Sequence, residues 1–182
     1  MMRKTWLFAL GLAATLLATP ASAADPANTL ILELASGPVV IEMRPDLAPK
    51  HVARIQELVR KGFYDGLTFH RVIEGFMAQT GDPLGNGTGG SGTKLAAEFS
   101  KEPFDRGSVG MARSRDPDSA DSQFFICLGP SSWLDGQYTY WGRVVEGMEH
   151  VDAIKKGDKA RNGAVENPDK VVRARLAADP PR

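Results

Sequence analysis

Two segments mix large apolar side chains with one arginine and two glutamines: Phe69-His70-Arg71-Val72-Ile73-Glu74-Gly75-Phe76-Met77-Ala78-Gln79-Thr80-Gly81-Asp82, and Ser122-Gln123-Phe124-Phe125-Ile126 with Trp133-Leu134-Asp135-Gly136 after it. None of these polar groups is a strong nucleophile. A guanidinium stays protonated at any relevant pH and only donates hydrogen bonds, whereas a glutamine amide donates and accepts. The chemistry within reach is hydrogen bonding to a polar group held against an apolar wall. Period-two alternation puts Arg71 on the same face as Phe69 and Ile73. A simple two-faced strand would then bury a guanidinium or expose two large apolar groups. Such a local conflict is what a functional site produces, and a β-bulge or an arginine that snorkels to solvent also explains it.

Other chemistry is poorly supported. Gly85-Asn86-Gly87-Thr88-Gly89-Gly90 fits the dinucleotide pattern G-x-G-x-x-G. No helical pattern follows it, and the next acidic residue, Glu98, comes too early for a ribose, so it reads as a flexible loop. Gly92-Thr93-Lys94 reverses the order of a phosphate-binding loop. His51, His70 and His150 lie far apart without the pairing of a zinc hydrolase, so no metal and no other cofactor is expected. The nucleophile elbow G-x-S-x-G does not occur. Asp116 and Asp118 sit in a turn-forming Ser-Arg-Asp-Pro-Asp-Ser stretch and read as solvated. Cys127, the single cysteine, lies in the apolar run Phe124–Leu128 and reads as packing.

The elements that must position Arg71 and the glutamines are mostly short strands. Leu30 to Leu34 and Val39 to Met43, separated by Ala35-Ser36-Gly37-Pro38, read as a hairpin. Pro49 at a first turn, the stripe Val52, Ile55, Leu58 and Val59, and Gly62 as the stop predict an amphipathic helix. Short apolar segments then alternate with glycine-rich turns: Leu67 to Ile73, Phe76 to Gln79, Ser108 to Met111, Phe124 to Leu128 and Tyr140 to Val145. That spacing predicts an antiparallel sheet curling into a barrel. A second helix is expected over Met148 to Lys156, and a last strand in which Val172, Ala174 and Leu176 share the buried face while Arg173 and Arg175 face water. Internal repeats and interdomain linkers are not evident.

The two polar-apolar segments resemble the cyclophilin signature, Phe-His-Arg-Val/Ile-Ile-x-Gly-Phe-Met-x-Gln-x-Gly-Asp, then Gly-x-x-x-Met-Ala, Ser-Gln-Phe-Phe-Ile and Trp-Leu-Asp-Gly. The similarity runs from about Leu30 to Leu176 in the family's order and spacing. It implies a mainly β fold, a closed eight-stranded antiparallel β-barrel capped by two α-helices, and a peptidyl-prolyl cis-trans isomerase acting on proline-containing polypeptides. Carried over by position, Arg71 is the catalytic arginine and Gln79 holds the substrate backbone. Phe76, Met77, Phe125 and Leu134 receive the proline ring, and Ala112, Gln123 and Trp133 match further groove positions. The tryptophan is the residue that in this family favours cyclosporin, a candidate inhibitor here. Two positions depart from the common pattern. Arg113 replaces an asparagine, in a loop one residue longer than in common eukaryotic members, and Tyr138 replaces a histidine. Both border the groove, so they bear on substrate preference more than on catalysis. A non-catalytic proline-peptide-binding module or holdase on the same barrel is the first rival reading, and an unrelated secreted hydrolase using Ser or Asp residues, whose motifs are lacking, is the second.

The whole chain sets the outer limits. Its 182 residues suit one globular domain, and 22 basic against 22 acidic residues leave no net charge to attract nucleic acid or an anionic membrane. Arg3 and Lys4, the apolar stretch Trp6 to Ala18 and the small-residue site Ala21-Ser22-Ala23 read as a secretory signal peptide cleaved after Ala23. The expected organisation is a signal peptide over 1–23, a short lead over 24–28, the isomerase domain over 29–178 and a disordered tail over 179–182. The expected mature protein is a periplasmic or secreted monomer without stable membrane association.

Overall fold

A computed structural model describes residues 25–180. The signal-peptide reading of residues 1–23, Ala24 and the last two residues of the expected tail fall outside the described residues. The described chain forms eight strands and two α-helices: β1 (Thr29–Leu34), β2 (Gly37–Met43), α1 (Pro49–Arg60), β3 (Arg71–Ile73), β4 (Met77–Thr80), β5 (Ser108–Met111), β6 (Phe124–Cys127), β7 (Tyr140–Glu146), α2 (Met148–Asp152) and β8 (Val171–Leu176). They make one sheet in the order β3-β4-β6-β5-β7-β2-β1-β8, with every neighbouring pair antiparallel. The continuous ladder stops between its edges, β3 and β8. The seam is drawn together by the single bridge Thr68–Lys170, with the Phe69 N–H donating to the Asp169 carbonyl at 2.9 Å and the Val171 N–H to the Leu67 carbonyl at 2.8 Å. The barrel therefore closes through a short extension rather than a full ladder.

Alternation assigns each strand an inner and an outer face. Leu30, Leu32, Val39, Ile41, Val109 and Phe124 belong to the inner core, on which α1 lays Val52, Ile55, Leu58 and Val59. A second, smaller apolar cluster lies on the outer face and contains Met77, Phe104, Phe125, Cys127, Leu134 and Tyr140. Strand β6 serves both, Phe124 and Ile126 inward, Phe125 and Cys127 outward, which is why it reads as an unbroken apolar run. Burial pushes the Cys127 thiol up to about 12, so it behaves as packing.

Three expectations need correction. The strand anticipated from Leu67 begins only at Arg71. Phe69 and Val72 face the inner core, whereas Ile73 packs on the outer cluster, so the alternation breaks before Arg71 and the expected conflict disappears. In β8 it is Val171, not Val172, that is buried; a register shift opposite Glu33 and Leu34 leaves Val172 58% exposed. Helix α2 stops at Asp152, short of Lys156, and the chain turns so that the Gly157 N–H reaches the Val72 carbonyl at 2.9 Å. The tail is fastened at Asp179, whose N–H donates to the Leu176 carbonyl and whose carboxylate accepts from Arg60 Nε, both at 3.2 Å. The lead is ordered too: Pro26–Asn28 form a 3-10 turn capped by the Asp25 carboxylate.

Candidate active site

Four strands place the central residues in one row. Arg71 on β3 stands opposite Gln79 on β4, Gln79 opposite Phe125 on β6, and Phe125 opposite Gly110 on β5. Directly opposite residues in a ladder share a face, so the cation, the amide and the phenyl ring all project to the outer side. Gly110 completes the row by leaving space. A Cβ there would lie 2.6 Å from atoms of both Phe104 and Phe125, whose rings pack with centroids 5.9 Å apart.

The outer face opens into a cavity of about 820 Å³. Its apolar wall comes from Phe76, Met77, Phe125 and Leu134, and its polar side from Arg71 and Gln79. Leu134 is placed by a 3-10 turn, Ser132–Leu134, which also sets Trp133 at the rim. The indole is 57% exposed and leans on Phe76 with ring centroids 5.3 Å apart. Ala112, Arg113 and Tyr138 complete the expected set along this cavity. Gln123 is the exception: it lines an adjoining space of about 250 Å³ and stands behind Gln79. It supports Gln79 from behind and at the same time borders the space that continues from the cavity.

A directed hydrogen-bond chain fixes the polar side. Arg71 Nη1 donates to Gln79 Oε1 at 3.1 Å, Gln79 Nε2 donates to Gln123 Oε1 at 2.9 Å, and Gln123 Nε2 donates to the Gly87 and Gly89 carbonyls at 3.1 and 2.8 Å. Those carbonyls belong to the glycine-rich loop expected to be flexible. It is organised instead around the buried Asp82 carboxylate, which accepts the N–H groups of Leu84, Asn86 and Gly87. Burial works to raise the Asp82 pKa, but these N–H donors, aided by His70, hold it below the usual carboxylate value.

Asn162 and His70 were missed as site residues in the sequence. Asn162, in the left-handed region at φ +54, accepts from Arg71 Nε through its carbonyl at 3.0 Å and from Nη2 through Oδ1 at 2.9 Å. Asn-Gly at 162–163 is a turn signal, but nothing in it points to a residue ninety positions away. His70 lines the cavity with both ring nitrogens buried. Burial, assisted by the Arg71 charge, lowers its pKa despite the opposing pull of Asp82, so the imidazole is neutral at neutral pH. Burial also lowers the Arg71 pKa from a starting value so high that the guanidinium stays cationic.

The two unusual positions meet. The Arg113 guanidinium lies 4.4 Å from the centroid of the Tyr138 ring, and that ring packs edge-on against Phe125 at 5.9 Å. Arg113 Nε and Nη2 donate to the Gln137 carbonyl at 3.3 and 2.9 Å. The arrangement as a whole can seat a compact apolar ring and present a fixed cationic donor to a polar group attached to it.

Comparison with known proteins agrees with this geometry. Residues 29–176 match the family model described as cyclophilin type peptidyl-prolyl cis-trans isomerase/CLD. A Brucella suis protein named "Probable peptidyl-prolyl cis-trans isomerase" is 61% identical over 171 residues, covering 87% of each chain. A crystal structure of a cyclophilin from Hirschia baltica superposes with a TM-score of 0.77 at 31% identity, covering 86% of this chain and 76% of its own. A Cryptosporidium parvum cyclophilin type peptidyl-prolyl cis-trans isomerase, crystallised in the presence of the dipeptide Ala-Pro, gives a TM-score of 0.76 at 26% identity, covering 83% of this chain and 99% of its own.

Proposed function

The chain belongs to the cyclophilin-type peptidyl-prolyl cis-trans isomerases, and from that premise we propose that Arg71 drives the rotation while the wall of Phe76, Met77, Phe125 and Leu134 holds the proline. The activity is the cis-trans isomerisation of X–Pro bonds in polypeptides. The observation supporting the residue assignment is that the Arg71 guanidinium and all four wall residues border one cavity.

Rotation about an X–Pro bond is opposed by amide resonance with a barrier of about 18–20 kcal/mol. At the top of the barrier the amide is twisted, charge separation falls, and the prolyl nitrogen regains a lone pair. An apolar wall disfavours the planar, polarised ground state relative to the twisted one. Arg71 donates to the imide as it turns, and this accelerates only to the extent that the contact is stronger in the transition state. A 10⁵-fold acceleration needs roughly 7 kcal/mol, whereas a charge-assisted hydrogen bond supplies about 1.5–3 kcal/mol. The remainder comes from desolvation and from Gln79 holding the peptide backbone in register.

Substrates on this reading are proline-containing segments of folding or unfolded polypeptides. The amino-terminal pattern, with Arg3 and Lys4, an apolar run and Ala21-Ser22-Ala23, supports export and work in the periplasm or outside the cell on exported clients. No helix among the described residues is long and apolar enough to cross a membrane. We take the enzyme to act as a monomer, its large exposed apolar side chains Leu84, Phe99, Trp133, Val145 and Val172 standing on separate segments. Trp133 at the cavity rim supports inhibition by cyclosporin.

The test of the residue assignment is isomerisation of a short proline peptide, followed by NMR exchange, in wild type and Arg71→Ala. Loss of about a hundredfold or more in kcat/KM is expected. Unchanged turnover in the variant removes Arg71 from its role, and binding without turnover in the wild type favours the non-catalytic module.

A further inference from the structure

The chain's formal charge balances, yet the charge around its active cavity does not. Arg71, Arg113 and Arg161 line that cavity, and neither aspartate nor glutamate does. Arg161 is neutralised by Asp158 at 3.1 Å and Glu166 at 2.8 Å. Arg71 is held by the neutral groups of Asn162 and Gln79. Arg113 donates only to main-chain carbonyls: Gln137, Ser114 at 2.9 Å, and Arg115 at 3.5 Å. Among the described residues it makes no ion pair, and one Nη2 hydrogen remains unused.

Arg113 also borders the adjoining smaller space, together with Lys94, which likewise makes no ion pair among the described residues. The carboxylate bordering that space, Asp121, is occupied by the N–H groups of Ser91 and Gly92, each at 2.9 Å. It makes no ion pair with Arg113 or Lys94 and keeps its own negative charge, so two cations face one carboxylate across that space. A peptide seated with its proline on Phe125 therefore passes Arg113 where the two spaces meet, with Lys94 further along the smaller one, and the local balance of charge is positive.

The Arg113 charge is also fixed in place. Its guanidinium rests on Tyr138, and Tyr138 rests on Phe125, the floor of the proline pocket. A charge tied to the pocket floor keeps a constant distance from the bound proline, and at about 3.5 Å per residue a peptide brings a neighbouring side chain to it within one or two positions. Preorganisation of this kind turns a surface charge into a selective contact, because little side-chain freedom is lost on binding.

We propose that the Arg113–Tyr138 pair, with Lys94 beyond it, makes this isomerase selective for peptides carrying a carboxylate side chain within two residues of the proline. The inference rests on the isomerase reading of the same cavity and adds a substrate preference to it.

The test uses the mature chain and short peptides with a single proline, bearing Glu, Gln or Lys at each of the two positions before and the two after it. NMR exchange gives the rate, and NMR titration gives the affinity. At one or more positions the Glu peptide should exceed the Gln peptide about two- to fivefold in kcat/KM and in affinity at low salt, with Lys below both. That advantage should shrink towards unity at about 0.5 M salt and disappear in Arg113→Gln, while Tyr138→Leu retains only part of it. Equal Glu and Gln values at all positions in the wild type overturn the proposal, as does an advantage that survives intact in Arg113→Gln. Affinity is measured separately from rate, so a protein that binds without isomerising would still return the Glu-to-Gln ratio. That result would count against the catalytic assignment and leave the preference to be judged on its own number.

Discussion

Arg71 is held by Asn162 through two hydrogen bonds, from Nε to the main-chain carbonyl at 3.0 Å and from Nη2 to Oδ1 at 2.9 Å. The partner is presented by the segment beside β3, where the Val72 N–H donates to the Gly163 carbonyl at 2.8 Å and the left-handed backbone at Asn162 turns its side chain back towards the arginine. Asn162 is thus a positioning residue. Asn162→Ala removes the Oδ1 acceptor and keeps the carbonyl, so kcat should fall about tenfold with KM little changed. Asn162→Asp retains an oxygen acceptor and tolerates the left-handed backbone, so it should restore most of the rate. Equal losses in both variants would mean that the residue serves only the turn.

The amide chain behind Arg71 predicts a graded pattern. Gln79 both receives Arg71 and faces the cavity, whereas Gln123 reaches Arg71 only through Gln79 and borders the adjoining space. Replacing each by methionine, of similar length and without the amide, should cost about tenfold in kcat/KM at Gln79 and about threefold at Gln123. Gln123→Met should also loosen the loop held through the Gly87 and Gly89 carbonyls. Faster amide hydrogen exchange over residues 85–90 checks that. A larger kinetic loss at Gln123 than at Gln79 would reverse the proposed order of support.

Most of the fold was legible because its strands alternate or are buried on both faces, and those patterns are local. The hairpin β1–β2, helix α1 from Pro49, and strands β5 to β7 lie close to where periodicity places them. The errors come from long-range pairing. Val171 rather than Val172 turns inward because of how β8 meets β1 at Glu33 and Leu34, a choice made by the partner strand. Site residues inside the motifs were legible through resemblance. Asn162 was not, since its role exists only once the segment after α2 lies against β3. The contact of Arg113 with Tyr138 was equally hidden: each position stood out alone, and only the fold shows that they form a pair.

Activity should be level from about pH 6.5 to 8, because Arg71 stays charged and His70, its pKa held below the ordinary imidazole value by burial, stays neutral across that window. Stability should depend on acid pH in two stages. His70 has its folded pKa below the unfolded one, so between the two the unfolded state binds more protons. The contribution is full above about pH 6.5 and is lost as pH falls towards the folded value. Glu98 is lowered as well: burial opposes this, but the His51 ring at 2.7 Å and the N–H groups of His51 and Lys50 prevail. With Asp82, it adds stability present above about pH 4.5 and lost below it. Thermal unfolding against pH should therefore show a shallow decline below pH 6.5 and a steeper one below 4.5. Replacing His70 by Asn should flatten only the first. A bell-shaped rate profile centred near neutrality would place a titrating group in the reaction.

Gly110 allows a test that separates packing from chemistry, because it does not line the cavity and carries no functional group. Its missing side chain is what lets Phe104 and Phe125 approach across β5, and an added Cβ would lie 2.6 Å from each ring. Its backbone is not in the left-handed region, so Gly110→Ala introduces bulk without a demand for unusual φ. Overpacking of this kind costs about 1–3 kcal/mol, so the melting temperature should fall. Phe104 is buried on the outer cluster beside Tyr140, with ring centroids 5.4 Å apart, whereas Phe125 borders the open cavity; relief should come from Phe125 moving outward. That motion narrows the seat for the proline ring and tilts Tyr138, which rests against Phe125. At a temperature where the variant is fully folded, KM should therefore rise several-fold, and the Phe125 ring signals should shift in the NMR spectrum. A variant that melts earlier but keeps its wild-type KM and ring shifts would show that the strain escapes through Phe104 instead, and that the seat of the proline does not depend on the space at Gly110.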